Sequence, residues 1–389
     1  MPIFEPSKAM ERLPEQFFAK LTTKVSRLKE EGRDIINLGQ GNPDQPTPPH
    51  IVEKLEAAAR NPVNHGYINF RGMPRFKQAA ADYYKREHGV DLDPEEEIAI
   101  LFGAKAGLVE LSQCFLNPGD KALLPDPGYP DYMSGTAFAG ADDIFMPLRE
   151  ENGFRPEYAD IATEDLDQAK LMFLNYPNNP TAGSATPEFF EETVKVAKKH
   201  EIGVIHDFAY GAIGYDGEKP VSFLETKGAK ETGVEIFTLS KSYNMAGWRV
   251  GFAAGNREVI EQINKLQDHM YVSLFGAVQE AAIEALSGDQ AAVKDLVRMY
   301  ERRRDVFIGT LEDYGFRTIT PKGTFFCWIP VPKGYSSEEF ADYAIEHAGV
   351  VTAPGNGFGE EGEGYVRAGL LADEDVLREA AERLGQLKY

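Results

Sequence analysis

Lys241 follows a short apolar run, Glu-Ile-Phe-Thr-Leu (235–239), with Thr238 and Ser240 just before it and Arg249 eight residues further on. A lysine at a strand end in apolar surroundings suits a carbonyl-attacking, Schiff-base nucleophile, because burial lowers its pKa and leaves more of the amine neutral. Arg249 offers a planar fork matched to phosphate, and the two hydroxyls add donors. Taken alone, the pattern equally describes a lysine reaching for water from the end of a sheet.

Three further groups fall where apolar runs stop. Gly103-Ala104-Lys105 follows the run 98–102 and opens a helical pattern, where free backbone N–H groups and a helix dipole favour an anion. Asn178 and Asn179 follow the run 171–176 in a proline-bounded turn. Asp207 closes the run 203–206 with Tyr210 three residues later, and an aspartate there is costly unless a cation or protonated nitrogen meets it. Each group alone is commonplace. Together they lie at the carboxyl edges of strands, where open α/β sheets bind ligands.

The elements that must position them read as an alternating α/β pattern. Strands are expected at 98–102, 121–125, 171–176, 203–207 and 235–239. Between the third and fourth lies a helix over 186–200, with Thr186 as cap, Pro187 in the first turn, glutamates early and Lys198, Lys199 and His200 late. Strand, helix, strand with short links is a parallel crossover. The texture changes near Gly288: a long amphipathic helix (289–313), a strand in TFFCWIPV and a final helix (373–387). The cluster Arg302, Arg303 and Arg304 is expected to be a solvated helix face rather than a nucleic-acid patch. A smaller α+β domain built from both chain ends (1–44 and 287–389) is expected beside a larger domain (45–286).

The 389 residues are enough for two or three domains, and the net charge is −21. That acidity argues against nucleic acid or an anionic membrane as the main partner. An anionic small ligand would need a few well-placed cations. Cys114 and Cys327 are the only cysteines, so neither a disulfide framework nor a cysteine-rich zinc site is expected. The N-terminus carries charges and prolines where a signal peptide would be apolar, and no run of 18 uncharged apolar residues occurs. A cytoplasmic protein is expected.

The segments GQGNPDQPTP, HGYINFRG, PDPGYPDY, NYPNNPT, HDFAYG, SKSYNMAGWRVG, APGNGFG and YVRAGL occur in this order along almost the whole chain. In order and spacing they resemble the fold-type I pyridoxal-phosphate aminotransferases of class I/II. The resemblance implies an α/β fold: a large domain with a mostly parallel seven-stranded sheet flanked by helices, and a smaller α+β domain. It implies pyridoxal 5′-phosphate as cofactor, joined to Lys241, with Asp207 on the pyridinium nitrogen. Tyr210 and Asn179 would hold the 3-oxygen, Tyr129 would stack on the ring, and the phosphate would sit among Gly103, Ala104, Lys105, Thr238, Ser240 and Arg249. Arg367 would clamp the substrate α-carboxylate beside Gly41 and Asn179. Tyr67 would reach the phosphate of a partner subunit, which implies a homodimer with a shared active site. Catalytic roles fall to Lys241, Asp207 and Tyr210, and no metal is expected.

Some features fit less neatly. The family's Asn-Pro-Thr-Gly turn reads Asn179-Pro180-Thr181-Ala182-Gly183 here, with the glycine displaced by one. Gly107 sits inside a helix at a cost of about 1 kcal/mol relative to alanine. His206 is read as a core histidine, and His65 has no assigned role.

Within the family, LPEQFFAKL, INLGQGNPDQPTP and LFGAKAGLVEL resemble the methionine-salvage branch, which aminates 4-methylthio-2-oxobutanoate. The expected reaction moves an amino group between an L-amino acid, such as glutamine or glutamate, and a 2-oxo acid. Aspartate transamination and β-elimination on the same scaffold are the alternatives. A cofactor-binding regulator would need a DNA-binding module, and the match starts near the first residue. Lys105 is expected to meet a distal acidic group or the cofactor, and Phe17 or Phe18 an apolar substrate tail.

Overall fold

The computed structural model describes residues 3–14 and 17–388, the side chains of residues 15–20 excepted. Its strands are β1 (Ile36–Asn37), β2 (Ile98–Leu101), β3 (Lys121–Asp126), β4 (Asp142–Pro147), β5 (Ala169–Asn175) and β6 (Gly203–Asp207), followed by β7 (Gly233–Thr238), β8 (Gly251–Gly255), β9 (Phe326–Pro330), β10 (Val350–Val351), β11 (Ala353–Pro354) and β12 (Tyr365–Gly369).

Seven of them form one sheet in the order β2-β8-β7-β6-β5-β3-β4. All pairings are parallel except those of β8, which runs antiparallel to both β2 and β7. The strands alternate between two cores. Ile98, Ile100, Leu123, Met172, Leu174 and Val204 pack against helices Pro74–His88, Pro187–His200 and Gly276–Ser287. Ala99, Leu101, Leu124, Leu171, Phe173 and Ile205 pack against helices Ala104–Phe115, Asp131–Ala139 and Arg257–Met270. Burial on both faces explains why these strands read as unbroken apolar runs.

Both chain ends meet in a second layer. β1 pairs parallel with β10, Ile36 opposite Val350, while β11, β12 and β9 form an antiparallel sheet. Helices Ala291–Asp313, Ser337–Ala348 and Glu374–Gly385 cover this layer through Phe307, Leu311, Phe340, Leu377 and Leu384.

All five expected strands of the main sheet are present, with ends shifted by up to two residues. β4 and β8 were not anticipated: β4 is a half-exposed edge strand, and β8, Gly-Phe-Ala-Ala-Gly, carries a single large side chain. The helix Pro187–His200 is capped as expected, the Phe189 N–H donating to Thr186 Oγ1 at 3.2 Å.

The arginine cluster departs from expectation. Arg302 is exposed and pairs with Glu374, but Arg303 and Arg304 are buried. Arg303 forks onto Asp44 at 2.9 and 2.8 Å, and Arg304 onto Asp216 at 2.7 and 2.9 Å. Consecutive helical positions point about 100° apart, so the run splits between water and two separate docking contacts. Gly107 also gains a reason: a Cβ there would lie 2.6 Å from Cδ1 of the fully buried Leu101. Cys114 and Cys327 are both free thiols. Among the described residues, no helix is long and apolar enough to cross a membrane.

Candidate active site

β7 ends in a single helical turn, Leu239–Ser242, started by Thr238, whose Oγ1 accepts the Ser240 N–H at 3.2 Å. The turn presents Lys241, half-buried, with Nζ donating to the Gly41 carbonyl at 3.1 Å and 5.5 Å from the Phe325 ring centre. Burial pushes this amine down to about 8; Arg367 and Arg249 push the same way and Asp207 opposes them.

Asp207 closes β6, which pairs directly with β7, Asp207 opposite Ile236. Its Oδ2 accepts from Tyr132 Oη at 2.9 Å, whereas Oδ1 is buried without a hydrogen-bond partner. Burial pushes the carboxyl up to about 6, with the Tyr132 hydroxyl, His206, the Ala209 N–H and, least of these, Lys241 pulling back. Tyr210 is buried edge-on against Phe325 and Phe326 at 5.3 and 6.0 Å, and burial raises its phenol. Tyr129 is half-buried, its ring T-shaped to Tyr132 at 5.7 Å.

The asparagine turn is tied to both neighbours. Asn175 donates to the Asp207 carbonyl at 2.7 Å and accepts the Asn179 N–H at 2.8 Å. Asn178 holds the turn itself, accepting from the Thr181 N–H and hydroxyl at 3.0 and 2.8 Å. Ala182 takes the left-handed conformation, φ 58°, where a glycine would be unstrained; the displacement costs about 1 kcal/mol and leaves Asn179 in place.

At the other end, Gly103 (φ 90°) turns the chain from β2 into the helix Ala104–Phe115. A Cβ on Gly103 would sit 2.4 Å from Arg249 Nη2, so glycine lets the guanidinium lie across the helix start. Arg249 is exposed and donates to the Ala246 carbonyl at 2.8 Å; the hydroxyls of Thr238 and Ser240, 2.9 Å apart, lie at the end of the adjacent strand. Lys105 forms an ion pair with Asp131 at 2.9 Å.

Arg367 stands on β12, 1% exposed. It donates to Asn179 Oδ1 at 2.8 Å and to the Gly39 carbonyl at 3.1 Å, and lies 4.0 and 4.7 Å from the ring centres of Phe326 and Phe358. Burial pulls its guanidinium below the usual arginine range.

Gly41, Ala104, Lys105, Tyr129, Asn179, Asp207, Tyr210, Thr238, Ser240, Lys241, Arg249 and Arg367 thus line one cavity of about 550 Å³. Gly103 sits behind Arg249, and Tyr67 is 84% exposed, away from this cavity. The side chains of Phe17 and Phe18 lie outside the described residues. His206 is a core residue as expected: Nδ1 faces Glu235 at 2.7 Å and Nε2 accepts the Tyr176 N–H at 3.2 Å. His65 Nε2 bonds the Ala59 carbonyl at 2.8 Å. The sequence reading missed Tyr132, Asn175 and Phe326. Tyr132 was legible as the residue one helical turn beyond Tyr129, and Asn175 as the polar end of an apolar strand.

The donor set fits pyridoxal 5′-phosphate. A protonated ring nitrogen would satisfy the orphaned Oδ1 of Asp207, and an aldehyde would meet the amine of Lys241. A phosphate would meet Arg249, the two hydroxyls and the helix N-terminus.

Comparison with known proteins agrees. Residues 33–384 match the family described as aminotransferase class I and II. The chain is 60% identical over 384 residues to the L-glutamine–4-(methylsulfanyl)-2-oxobutanoate aminotransferase of Bacillus subtilis (strain 168), covering 99% of this chain and 96% of that one. A substrate-bound BacF structure from Bacillus subtilis superposes with a TM-score of 0.94 at 48% identity, covering 98% of this chain and 97% of that chain. A Thermus thermophilus aspartate aminotransferase double mutant superposes with a TM-score of 0.91 at 28% identity, covering 99% of this chain and 100% of that chain. With an aspartate aminotransferase-like fold and a pocket shaped for its cofactor, the chain belongs to the pyridoxal-phosphate-dependent aminotransferases of class I and II.

Proposed function

We propose that this enzyme moves an amino group from L-glutamine or a similar L-amino acid to 4-methylthio-2-oxobutanoate, giving methionine, as the name of its 60% identical relative describes. The observation that carries the reading is the placement of Lys241, Asp207 and Arg367 on one cavity, with a lowered amine, an orphaned carboxylate oxygen and a buried guanidinium.

Bound pyridoxal phosphate supplies an electron sink for the pair released at the substrate Cα. Lys241 would hold the cofactor at its aldehyde carbon, and its Nζ would carry the proton between the substrate Cα and the cofactor's C4′. Asp207 Oδ1 would hold the ring N–H and keep it protonated. Tyr210 and Asn179 would hold the 3-oxygen, and Tyr129 would cover the ring face. Gly103, Ala104, Lys105, Thr238, Ser240 and Arg249 would receive the phosphate. Arg367 fixes the α-carboxylate beside Gly41 and Asn179, which aims the Cα–H bond at Lys241.

Lys105 bears on the substrate tail. Its charge is already matched by Asp131, so this end of the cavity favours a neutral thioether or amide over a second carboxylate. The division into domains at 1–44 with 287–389 and 45–286 belongs to the same reading.

Tyr67 is assigned to the phosphate of a second copy. Val63, Tyr67 and Phe70 are exposed, as are Met270 and Phe275; Arg71 pairs with Asp268 at 3.2 Å and Asn64 abuts Gly276, which brings the two segments together. An apolar patch of this kind suits a homodimer interface. The proposed compartment is the cytoplasm, where Cys114 and Cys327 stay reduced.

The test is a panel of amino donors against 4-methylthio-2-oxobutanoate and 2-oxoglutarate. Methionine formation from glutamine at the highest kcat/KM is expected. Preferred turnover of aspartate, or pyruvate release from cystathionine without amino transfer, would replace the reading.

A further inference from the structure

Asp126 ends β3 as a buried carboxylate, 5% exposed, and faces no part of the chemistry described above. Its two oxygens are occupied by backbone: Oδ2 accepts the Glu360 N–H at 3.2 Å and Oδ1 the Glu361 N–H at 3.1 Å. The chain beside it is tied too, the Gly128 N–H donating to the Phe358 carbonyl at 2.8 Å. Gly359 is shaped for this contact. Its φ is 139°, and a Cβ would lie 1.9 Å from Asp126 Oδ1.

These bonds join two stretches that each carry one wall of the cavity. Three residues beyond Asp126 stands Tyr129, on the ring side. One residue before Gly359 stands Phe358, whose ring lies 4.7 Å from the Arg367 guanidinium and packs edge-on to Trp328 at 6.0 Å. β3 belongs to the main sheet and residues 355–362 follow β11 of the second layer, so the contact bridges the two. Burying a carboxylate to fix two loop N–H groups is an expensive anchor, and burial with the nearby Glu360 and Glu361 raises its pKa to about 6.

We propose that Asp126 is a positioning residue: by clasping the backbone at Glu360 and Glu361 it sets Phe358 and Arg367 at the spacing an α-carboxylate needs opposite the Tyr129 wall. This rests on Arg367 as the carboxylate clamp. Affinity for the substrate carboxylate then depends on the clasp, whereas affinity for the cofactor does not.

The test uses holoenzymes of the wild type, D126N, D126A, G359A and R367K. Each is titrated with 4-(methylthio)butanoate, a carboxylate lacking the amino group, followed by the visible absorbance of the bound cofactor. D126N keeps one acceptor oxygen and should weaken binding about fivefold; D126A and G359A should weaken it about twentyfold. Cofactor dissociation should change less than about twofold. If D126A or G359A does not fold, D126N carries the result. Unchanged carboxylate binding in D126N, or an equal loss of cofactor affinity, overturns the clasp while leaving the function intact. Unchanged binding in R367K overturns the clamp on which it rests.

Discussion

Lys241 and Arg367 are two cations facing one cavity, and they are built in opposite ways. Lys241 rides on a four-residue helical turn, half-buried, with a hydrogen bond to the Gly41 carbonyl and an amine pushed down to about 8. Arg367 stands on a strand, almost wholly buried, fixed by Asn179 and the Gly39 carbonyl and flanked by two aromatic rings. A group that must lose and regain a proton needs a pKa near working pH and freedom to swing. A group that must aim a carboxylate needs permanent charge and a rigid planar fork. Catalysis here requires both, and the fold assigns the first to a short helical turn and the second to a buried framework.

The largest break in this contrast is Lys241→Ala. Turnover should fall by about 10⁴-fold or more, and the borohydride-reducible chromophore should vanish. Persistence of either overturns the assignment. In the wild-type apoprotein, the neutral amine is the form that captures an aldehyde, and its fraction grows as pH rises. The capture rate should therefore climb through a midpoint near pH 8, measured as chromophore growth after adding pyridoxal phosphate. A midpoint near 10 would show that burial does not act on this lysine.

Arg367→Lys makes the clamp resemble its neighbour. The charge stays, but the fork onto Asn179 and Gly39 is lost, and a flexible ammonium replaces a stacked plane. KM for both amino acid and oxo acid should rise about 100-fold, consistent with losing charged hydrogen bonds of about 1.5–3 kcal/mol. A fall in kcat alone would mean that Arg367 acts on the reacting atoms rather than on the carboxylate.

The same contrast explains what could be read from the chain beforehand. Lys241, Asp207, Asn179 and Gly103 each close or follow within three residues a contiguous apolar run, so strand and site residue sit in one short segment. Arg367 meets Gly39 across 328 positions and Asn179 across 188, and no local pattern announces such a partner. It was legible only through the resemblance of its motif. β8 escaped because Phe252 is its one large side chain among glycines and alanines, too little for an apolar run. Arg303 and Arg304 were misread because a charge run gives no sign that Asp44 and Asp216 wait on other elements.

Asp207 sharpens the comparison from the anionic side, since it opposes the push on Lys241. In the cofactor-free chain its carboxyl is raised to about 6, so folding favours the protonated form. That contribution to stability is present at low pH and is lost as pH rises through 6, leaving a buried charge with one unpaired oxygen at neutral pH. Asp207→Asn should therefore abolish useful turnover while stabilising the apoprotein at pH 7.5 by about 2 kcal/mol, a few degrees in Tm. Loss of stability would show that Oδ1 has solvent or another partner in the empty site. Above pH 6 the wild type should gain more from added cofactor than the variant does.

The smallest effect is expected at Lys105, the third cation on the cavity and the one already matched. Its ammonium pairs with Asp131 at 2.9 Å, and half of its side chain is exposed, so it brings little net charge to an incoming tail. Lys105→Ala removes the cation but leaves the Asp131 carboxylate, 6% exposed, without it. A donor ending in a second carboxylate then meets an unmatched anion, whereas a thioether meets nothing new. The variant should lose about three- to tenfold in kcat/KM for glutamate or aspartate and about twofold or less for methionine. An equal loss for both donors would place Lys105 on the cofactor alone and leave tail selection to other walls of the pocket. The ratio of the two losses, rather than either one, is the measurement that separates a matched pair from a free cation.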